Sequence, residues 1–402
     1  AASDVYKRQA MFILFAIVAS ENWPATAQGP DGSQSPPVPG AASGSGSRSS
    51  TVGAFEPGEV LVRIKDGVPT VARLSLPAQY EATRVRSLLG GDVELWQVPA
   101  GQELEAIKEL SVDPRVDYAE PNYVYHAFFV PNDPRLSKQW AHTLLKSPLA
   151  WDITTGSASV TIAIIDSGVD LEHPDLAEKL VPGYDFVDGG GPWDDHGHGT
   201  QVAGVAAAAT NNGVGVAGMD WQARIMPVRV LSETGRGSLD DVADGVNWAY
   251  RHGAKVLNLS LGSTSDAQTL RLAVADAHAA GALVIASMGN CRVQDQEECP
   301  VANPTSYPAA YDTVMAVAAT TRYDGYAYYS QRGSHCDISA PGGDIRLFTQ
   351  DGIISTLPTY EDFYLRTKYG YARNYDYDQG TSLATPYVAG LASLVWAANS
   401  AL

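Results

Sequence analysis

The chain has 402 residues, enough for two or more domains and a large core. Its formal net charge of −18 argues against nucleic acid as a partner, and its 45% hydrophobic content is ordinary for globular protein. Three cysteines exclude a disulfide-dense scaffold.

Residues 1–9 lack an initiating Met and read as an assembly artefact or a truncated start. Met11–Ala19 (MFILFAIVA) is a short apolar run behind Lys7 and Arg8, well under the roughly 20 residues that span a bilayer. Ala25-Thr26-Ala27 fits a small-x-small cleavage site. Residues 1–27 are therefore expected to be a leader with a secretory signal peptide, the alternative being an apolar leader with no targeting role. Residues 28–54, rich in Gly, Ser and Pro, read as a disordered linker.

Ordered sequence begins near Phe55. Glu59–Ile64 alternates like a half-buried strand, and Val93–Val98 alternates again. Ala82–Leu89 reads as helix-like, Glu103–Leu110 has helical spacing, and Asp113–Tyr118 looks like a turn into a last strand. This alternation over residues 55–126 predicts a small α+β domain of the split βαβ, ferredoxin-like kind. It holds no clustered acid–base set and reads as an accessory domain.

The texture changes in the second domain, residues 127–402. Val160–Ile165 (VTIAII) is continuously apolar and β-branched, as in a parallel strand covered on both faces. Arg224–Leu231, Lys255–Leu261, Ala282–Ser287 and Val314–Ala319 repeat that texture. Helical patterns lie between them at Val202–Ala209, Ser238–Arg251 and Gln268–Ala280, the last stopped by Gly281. The predicted fold is α/β: a doubly wound, mostly parallel sheet with helices on both faces.

Chemistry is expected beyond the carboxyl ends of such strands. Asp166 ends the first one. His198 stands at a helix start between two glycines. Ser382, in Gly380-Thr381-Ser382-Leu383-Ala384-Thr385-Pro386, opens a run so apolar that it reads as a buried helix with Pro386 in its first turn. Alone, Ser382 reads first as a helix cap, the commonest role of a serine at such a place. Together, a carboxylate, an imidazole and a hydroxyl are the parts of an activated nucleophile: Asp orients His, and His takes the Ser proton. Asn290, after the strand Ala282–Ser287, could donate its amide to an oxyanion. Two rival readings compete with this one. Asp194, Asp195, His196 and His198 could form a zinc cluster in a zinc-dependent hydrolase. Alternatively, the chain could be a non-catalytic binding module.

The segments DSGVD (Asp166–Asp170), HGTQVAG (His198–Gly204), SMGN (Ser287–Asn290) and GTSLATP (Gly380–Pro386) resemble those of subtilisin-like serine peptidases, thermitase-type members above all. The resemblance runs from about Pro131 to Leu402. Phe55–Tyr123, with PGEVLVRIK and VDYAEPNY, is similar to the inhibitory, foldase-like propeptide of those enzymes. The resemblance implies a triad of Asp166, His198 and Ser382, with Asn290 as the oxyanion residue. It implies that Gly235-Arg236-Gly237 and Ser260-Leu261-Gly262 pair with an extended polypeptide substrate. It also implies a structural calcium ion held by Asp133, Asp175, the Asn212 side chain and the carbonyls of Ala209, Val214 and Val216. The alternative is that Asp133 and Asp175 are turn acids. Asp185 and Asp188, with Asp194 or Asp195, hint at a second cation site.

The expected protein is thus a secreted, monomeric serine endopeptidase inhibited by its own propeptide, with no membrane attachment once the signal is removed. Self-cleavage is expected in Tyr123–Val130 (YVYHAFFV), an extended aromatic run suited to a substrate groove. Departures from the family pattern are Gln201 and Tyr387 in place of His, Leu383 in place of Met, and Met288 in place of a small residue, which predicts a narrowed cleft. The chain stops soon after the serine helix where relatives continue, which reads as truncation. Cys291 and Cys299 are either disulfide-bonded or free. Ile345–Asp378 is a Tyr-rich insertion with no assigned chemistry.

Overall fold

Alternating burial builds the first strand of the N-terminal unit. In β1 (Phe55–Ile64), Val60, Val62 and Ile64 face inward and Leu61 and Arg63 do not. The structure is a computed structural model and describes residues 55–124, 130–294 and 299–399. The leader, the linker and most of the expected cleavage segment lie outside the described residues.

The chain divides into two units, one ending at Ala127 and the other continuing from Phe128. In the first, β1 is followed by α1 (Thr70–Ser75), β2 (Thr83–Leu88), β3 (Val93–Gln97), α2 (Glu103–Leu110) and β4 (Val116–Tyr123). The sheet order β2-β3-β1-β4, antiparallel at every pairing, is the expected ferredoxin-like topology. Trp96, Leu76 and Leu110 close its core.

One expected element is different. Ala82–Leu89 is not a helix: Thr83–Leu88 forms β2, paired with β3. Five of its six residues are exposed, so the segment carries no apolar period of its own. Pairing decides instead, with Arg84 reaching the buried Glu94 across the strands at 3.5 Å.

The second unit is a seven-stranded, wholly parallel sheet in the order β11-β10-β9-β8-β5-β7-β6. Two short helices, α3 (Trp140–Leu144) and α4 (Ser147–Trp151), precede it. The strands are β5 (Thr161–Asp166), β6 (Tyr184–Asp185), β7 (Arg224–Arg229), β8 (Val256–Leu259), β9 (Leu283–Ser287), β10 (Val314–Thr320) and β11 (Ile338–Pro341). Helices α5 (His198–Ala207), α6 (Leu239–Arg251) and α7 (Gln268–Ala279) alternate with them. After the sheet come β12 (Ile353–Thr356), α8 (Tyr364–Tyr369), β13 (Tyr375–Asp378) and α9 (Thr381–Ala398).

The β-branched run in β5 is explained by cover on both faces. Ile162 and Ile164 pack with α5 and α9, while Ala163 and Ile165 pack with α6 and α7. Ser238 caps α6 by accepting the Asp241 N–H. Helix α9 is long and apolar enough to cross a membrane, but 78% of that stretch is buried in the protein, so core packing accounts for its composition. At its crossing with α5, a side chain on Gly390 would run into the Ala206 carbonyl.

Pro386 is one turn later than expected, because α9 begins at Thr381. A residue with an N–H at this position would donate to the Ser382 carbonyl; Pro cannot. The freed carbonyl accepts instead from Ser260 Oγ at 2.8 Å. The proline therefore ties the start of α9 to the end of β8.

Candidate active site

Three adjacent strands, β9, β8 and β5, deliver the site to one edge of the sheet. Beyond β9, Asn290 Oδ1 accepts from the Thr381 N–H and Oγ1, both at 2.9 Å. Beyond β8, Ser260 holds the Ser382 carbonyl, and Asn258 Nδ2 donates to Ser260 Oγ at 2.9 Å. At the end of β5, Asp166 Oδ1 meets His198 Nδ1 at 2.7 Å and accepts the Ser167 N–H at 2.7 Å. Neighbouring strands lie about 4.8 Å apart, so Ser382 and His198 are brought to the same edge by tethers one strand apart.

Ser382 is partly exposed in the first turn of α9. With Asn290 Oδ1 engaged, its Nδ2 is the group left to donate. A Cβ on Gly380 would sit 3.5 Å from Asn290 Nδ2 and 3.6 Å from Ser382 N, so these two nitrogens border one small space. Glycine leaves that space empty of side chain.

His198 owes its place to Asp194, whose role the sequence reading missed. Fully buried, Asp194 accepts from Ser167 Oγ (2.7 Å), Gly197 N (2.7 Å), Thr200 N (2.8 Å) and Thr200 Oγ1 (2.6 Å). Burial nonetheless lifts its carboxyl to about 6. Ser167 Oγ in turn accepts the Gly199 N–H at 2.9 Å. A side chain on Gly199 would overlap the Gly168 carbonyl, so glycine there permits a backbone-to-backbone approach. An acid four residues before a helix's first residue was the available signal.

The electrostatics favour a charged imidazole. Burial disfavours the His198 cation, but the charge and hydrogen bond of Asp166, then the charges of Asp378 and Asp194, outweigh it and raise the pKa to about 9. His196 moves the other way: burial and His198 lower it to about 4.

The zinc alternative does not assemble among the described residues. Asp194 is spent on the helix start, Asp195 pairs with Arg229 at 3.0 Å, and His196 stacks on Tyr364 with ring centroids 5.4 Å apart. No group of three or more His, Cys, Asp or Glu is arranged there to hold a metal. The hinted second cation site is corrected by the same arginine. Arg229 Nη1 reaches Asp185 at 3.2 Å and Asp188 at 3.3 Å, so a guanidinium occupies the acidic loop.

The first cation site is different. Asp133 and Asp175 are buried, and neither has an ion pair among the described residues. Asp133 Oδ1 is buried without a hydrogen-bond partner. Asp133 Oδ2 accepts the Asn211 N–H at 2.8 Å. Asp175 accepts Asn212 Nδ2, the Val216 N–H and the Tyr375 hydroxyl. Burial pushes both carboxyls up, Asp175 to about 6, and the charge of Asp133 adds to the rise at Asp175. Two buried carboxylates with an orphaned oxygen beside the loop 209–216 fit a hard cation with oxygen ligands.

Other expected positions lie around this edge. Gly235 lies in a tight turn at φ 71° against His196, and Arg236 and Gly237 are exposed. Leu261 is half-buried and Gly262 exposed. Met288 is buried in the core, so it does not line or narrow the cleft. Cys291 and Cys299 form a disulfide directly after Asn290, and Cys336 is free. The insertion reaches the site: Tyr364 N donates to Asp195 O and Leu365 N to His196 O.

Comparisons with known proteins agree with this architecture. Residues 157–402 match the Subtilase family, and residues 41–122 match the Fervidolysin N-terminal prodomain. A thermophilic serine proteinase of Bacillus sp. (strain AK1) is 39% identical over 345 residues, covering 85% of this chain and 79% of that protein. Thermitase of Thermoactinomyces vulgaris is 41% identical over 269 residues, covering 66% and 85%. A solved protease structure from Pseudoalteromonas arctica PAMC 21717 aligns with a TM-score of 0.58 at 35% identity, covering 67% of this chain and 87% of that one. The chain belongs to the subtilase family of serine proteases and carries an N-terminal prodomain with its protease domain.

Proposed function

We propose that the protein is a secreted serine endopeptidase made as a self-processed zymogen, with Asp166, His198 and Ser382 as its triad and Asn290 as oxyanion donor. The observation that carries this reading is the convergence of the β9, β8 and β5 ends on Asn290, Ser382 and His198. Asp166 accepts the hydrogen bond from His198 Nδ1–H, which keeps that proton on Nδ1 and leaves Nε2 as the base. Nε2 takes the Ser382 proton as Oγ attacks the peptide carbonyl carbon. Negative charge then gathers on the carbonyl oxygen, where Asn290 Nδ2 and the Ser382 N–H meet it. His198 passes its proton to the leaving amine, and water releases the acyl-enzyme.

Substrate pairing follows from strand order. Gly235-Arg236-Gly237 follow β7 and Ser260-Leu261-Gly262 follow β8, the two neighbours of β5. A polypeptide extended between them passes the end of β5 and adds as a strand. Ser260 contributes backbone alone, since its hydroxyl is committed to Ser382. Calcium is the proposed structural ion at Asp133 and Asp175, with Asn212 Oδ1 and the Ala209, Val214 and Val216 carbonyls completing the oxygen set. It supplies charge balance for the loop and takes no part in the proton transfers.

The zymogen reading divides the chain at a cut within Tyr123–Val130, after a leader to residue 27, a linker to 54 and a propeptide to 126. The test is N-terminal sequencing of secreted wild-type and Ser382→Ala protein. Wild type should start within that segment, and the variant should keep its propeptide. The scale of the loss is taken from subtilisin, about 10⁶ in kcat. The same new N-terminus in Ser382→Ala, formed at the same rate, would assign the cut to another protease.

A further inference from the structure

The Tyr-rich insertion is fastened at three places, and one of them is the proposed cation site. Its strand β12 rides on α5: Ser355 Oγ donates to the Gln201 carbonyl and Thr356 Oγ1 to the Thr200 carbonyl, each at 2.7 Å. Its helix α8 is tied to the backbone just before His198. There the Tyr364 N–H donates to the Asp195 carbonyl at 2.9 Å and the Leu365 N–H to the His196 carbonyl at 3.0 Å. Its returning strand β13 begins at Tyr375, opposite Thr356, and the Tyr375 hydroxyl donates to Asp175 Oδ2 at 3.1 Å. A second link runs beside that one. His173 Nδ1 accepts the Asp175 N–H at 3.1 Å, so the ring proton sits on Nε2, which donates to the Asn374 carbonyl at 3.1 Å.

The tyrosine decides which oxygen of Asp175 is left open. A carboxylate oxygen has two lone pairs. Oδ2 receives two donors, the Tyr375 hydroxyl and the Val216 N–H at 2.9 Å, and is full. Oδ1 receives one, Asn212 Nδ2 at 2.9 Å, and keeps a lone pair for a cation. Asp133 Oδ1, buried without a hydrogen-bond partner, is the other open oxygen. Tyr375 is itself held. The Arg135 guanidinium lies 4.5 Å from the centroid of its ring, and the His173 ring meets it edge-on at 5.3 Å. A side chain on Gly215 would overlap both the Tyr375 hydroxyl and Asp175, so the tyrosine rests directly on the backbone of the loop 209–216.

We propose that Tyr375 is a positioning residue for the cation site, and that through it the bound ion fastens the insertion that braces residues 195 and 196. The proposal rests on the calcium reading above and adds the insertion as the element that the ion controls. The effect is mutual. A hydroxyl that holds a ligating carboxylate in place spares the ion the cost of ordering it, and loss of such a partner typically weakens metal binding about 10- to 100-fold. The ion in turn favours the Asp175 orientation that Tyr375 holds, so ion binding and docking of the insertion are linked. A tyrosine that served packing alone would change stability by the same amount with and without the ion.

The experiment uses the full chain carrying Ser382→Ala, which prevents self-digestion, and calcium alone as the ligand. Affinity is measured by titration calorimetry with and without Tyr375→Phe, which removes the hydroxyl and keeps the ring. Kd should rise about 10- to 100-fold. The melting midpoint of the variant should lie close to that of its parent in EGTA and need correspondingly more calcium to climb. Amide hydrogen exchange is then followed over residues 357–375, with β5 as the reference. Exchange there should be faster in EGTA than in millimolar calcium, and it should stay fast in Tyr375→Phe at a calcium concentration that protects the parent. An unchanged Kd, a midpoint lowered equally in EGTA and in calcium, or exchange that ignores calcium overturns the proposal. The exchange comparison on the parent needs no change at Tyr375, so it decides the matter if Tyr375→Phe does not fold. A parent that binds no calcium would overturn the calcium reading as well, whereas a parent and a variant that bind it equally sink this inference alone.

Discussion

The loop built on Asp133 and Asp175 and the loop built on Asp185, Asp188 and Asp195 are both acidic, but only the second contains its own cation. Arg229, at the end of β7 and 4% exposed, reaches all three of its carboxylates within 3.3 Å. The first loop has no such partner among the described residues. Backbone, side-chain amide and hydroxyl donors satisfy most of its oxygens, Asp133 Oδ1 is left over, and burial raises both carboxyls. The difference teaches how the same residue type is read. Acidic residues in a loop mark a cation site only when the fold supplies no cation of its own, and that depends on which residue ends the neighbouring strand. An arginine side chain folds in with the chain at any calcium concentration. A bound ion makes stability a function of concentration.

The comparison breaks most sharply at Arg229. Arg229→Met leaves Asp185 buried without its counter-charge, beside two partly exposed acids. Removing one partner of a buried pair typically costs about 3–5 kcal/mol. That loss should appear in denaturant unfolding both in EGTA and in millimolar calcium. A variant restored to wild-type stability by calcium would show that the two loops are interchangeable, and the distinction between them would collapse.

The other loop should respond to the ion and hardly to anything else. A ligand that binds only the native state adds about 2.7 kcal/mol at a hundredfold excess over Kd. The melting midpoint should rise on going from EGTA to millimolar calcium, and Asp175→Ala should abolish the rise. A midpoint that ignores calcium in wild type would remove the site. So would an Asp175→Ala variant that keeps the full shift.

Much of the site was legible because its residues end apolar, β-branched runs. Asp166 closes β5, and Asn290 follows β9 by three residues, so a reading of strand ends finds them. What stayed hidden depends on contacts between segments far apart in sequence. Asp194 is recognisable only once Ser167 and Thr200 are folded around it. Arg229 and Asp185 are 44 positions apart, and nothing local links them. The misread helix at Ala82–Leu89 has a related cause. An exposed strand has little patterning of its own, and its partner β3 supplies the decision. Pro386 shows a finer limit: its effect was expected at the start of a helix, yet it acts by freeing the carbonyl of Ser382 for Ser260.

The smallest expected effect lies within the arginine-filled loop. Asp185 and Asp188 both touch Arg229, yet their side chains are 1% and 58% exposed. Burial raises the Asp185 carboxyl, whereas its hydrogen bond to Asp185 holds the Asp188 carboxyl down. Asp188 is therefore the water-facing member of the pair. Water and salt compete for it, so its contact with Arg229 should contribute no more than about 0–1 kcal/mol. Asp188→Asn also keeps a side-chain oxygen that can accept the Gly190 N–H, now at 3.1 Å from the carboxylate. It should unfold within that margin of wild type, with any difference shrinking as salt is raised. Calcium should not change the difference, since Arg229 still occupies the loop. A loss well above 1 kcal/mol that appears only in EGTA would mean that Asp188 holds an ion. The arginine-filled loop would then be a second cation site, and the contrast between the two loops would fail.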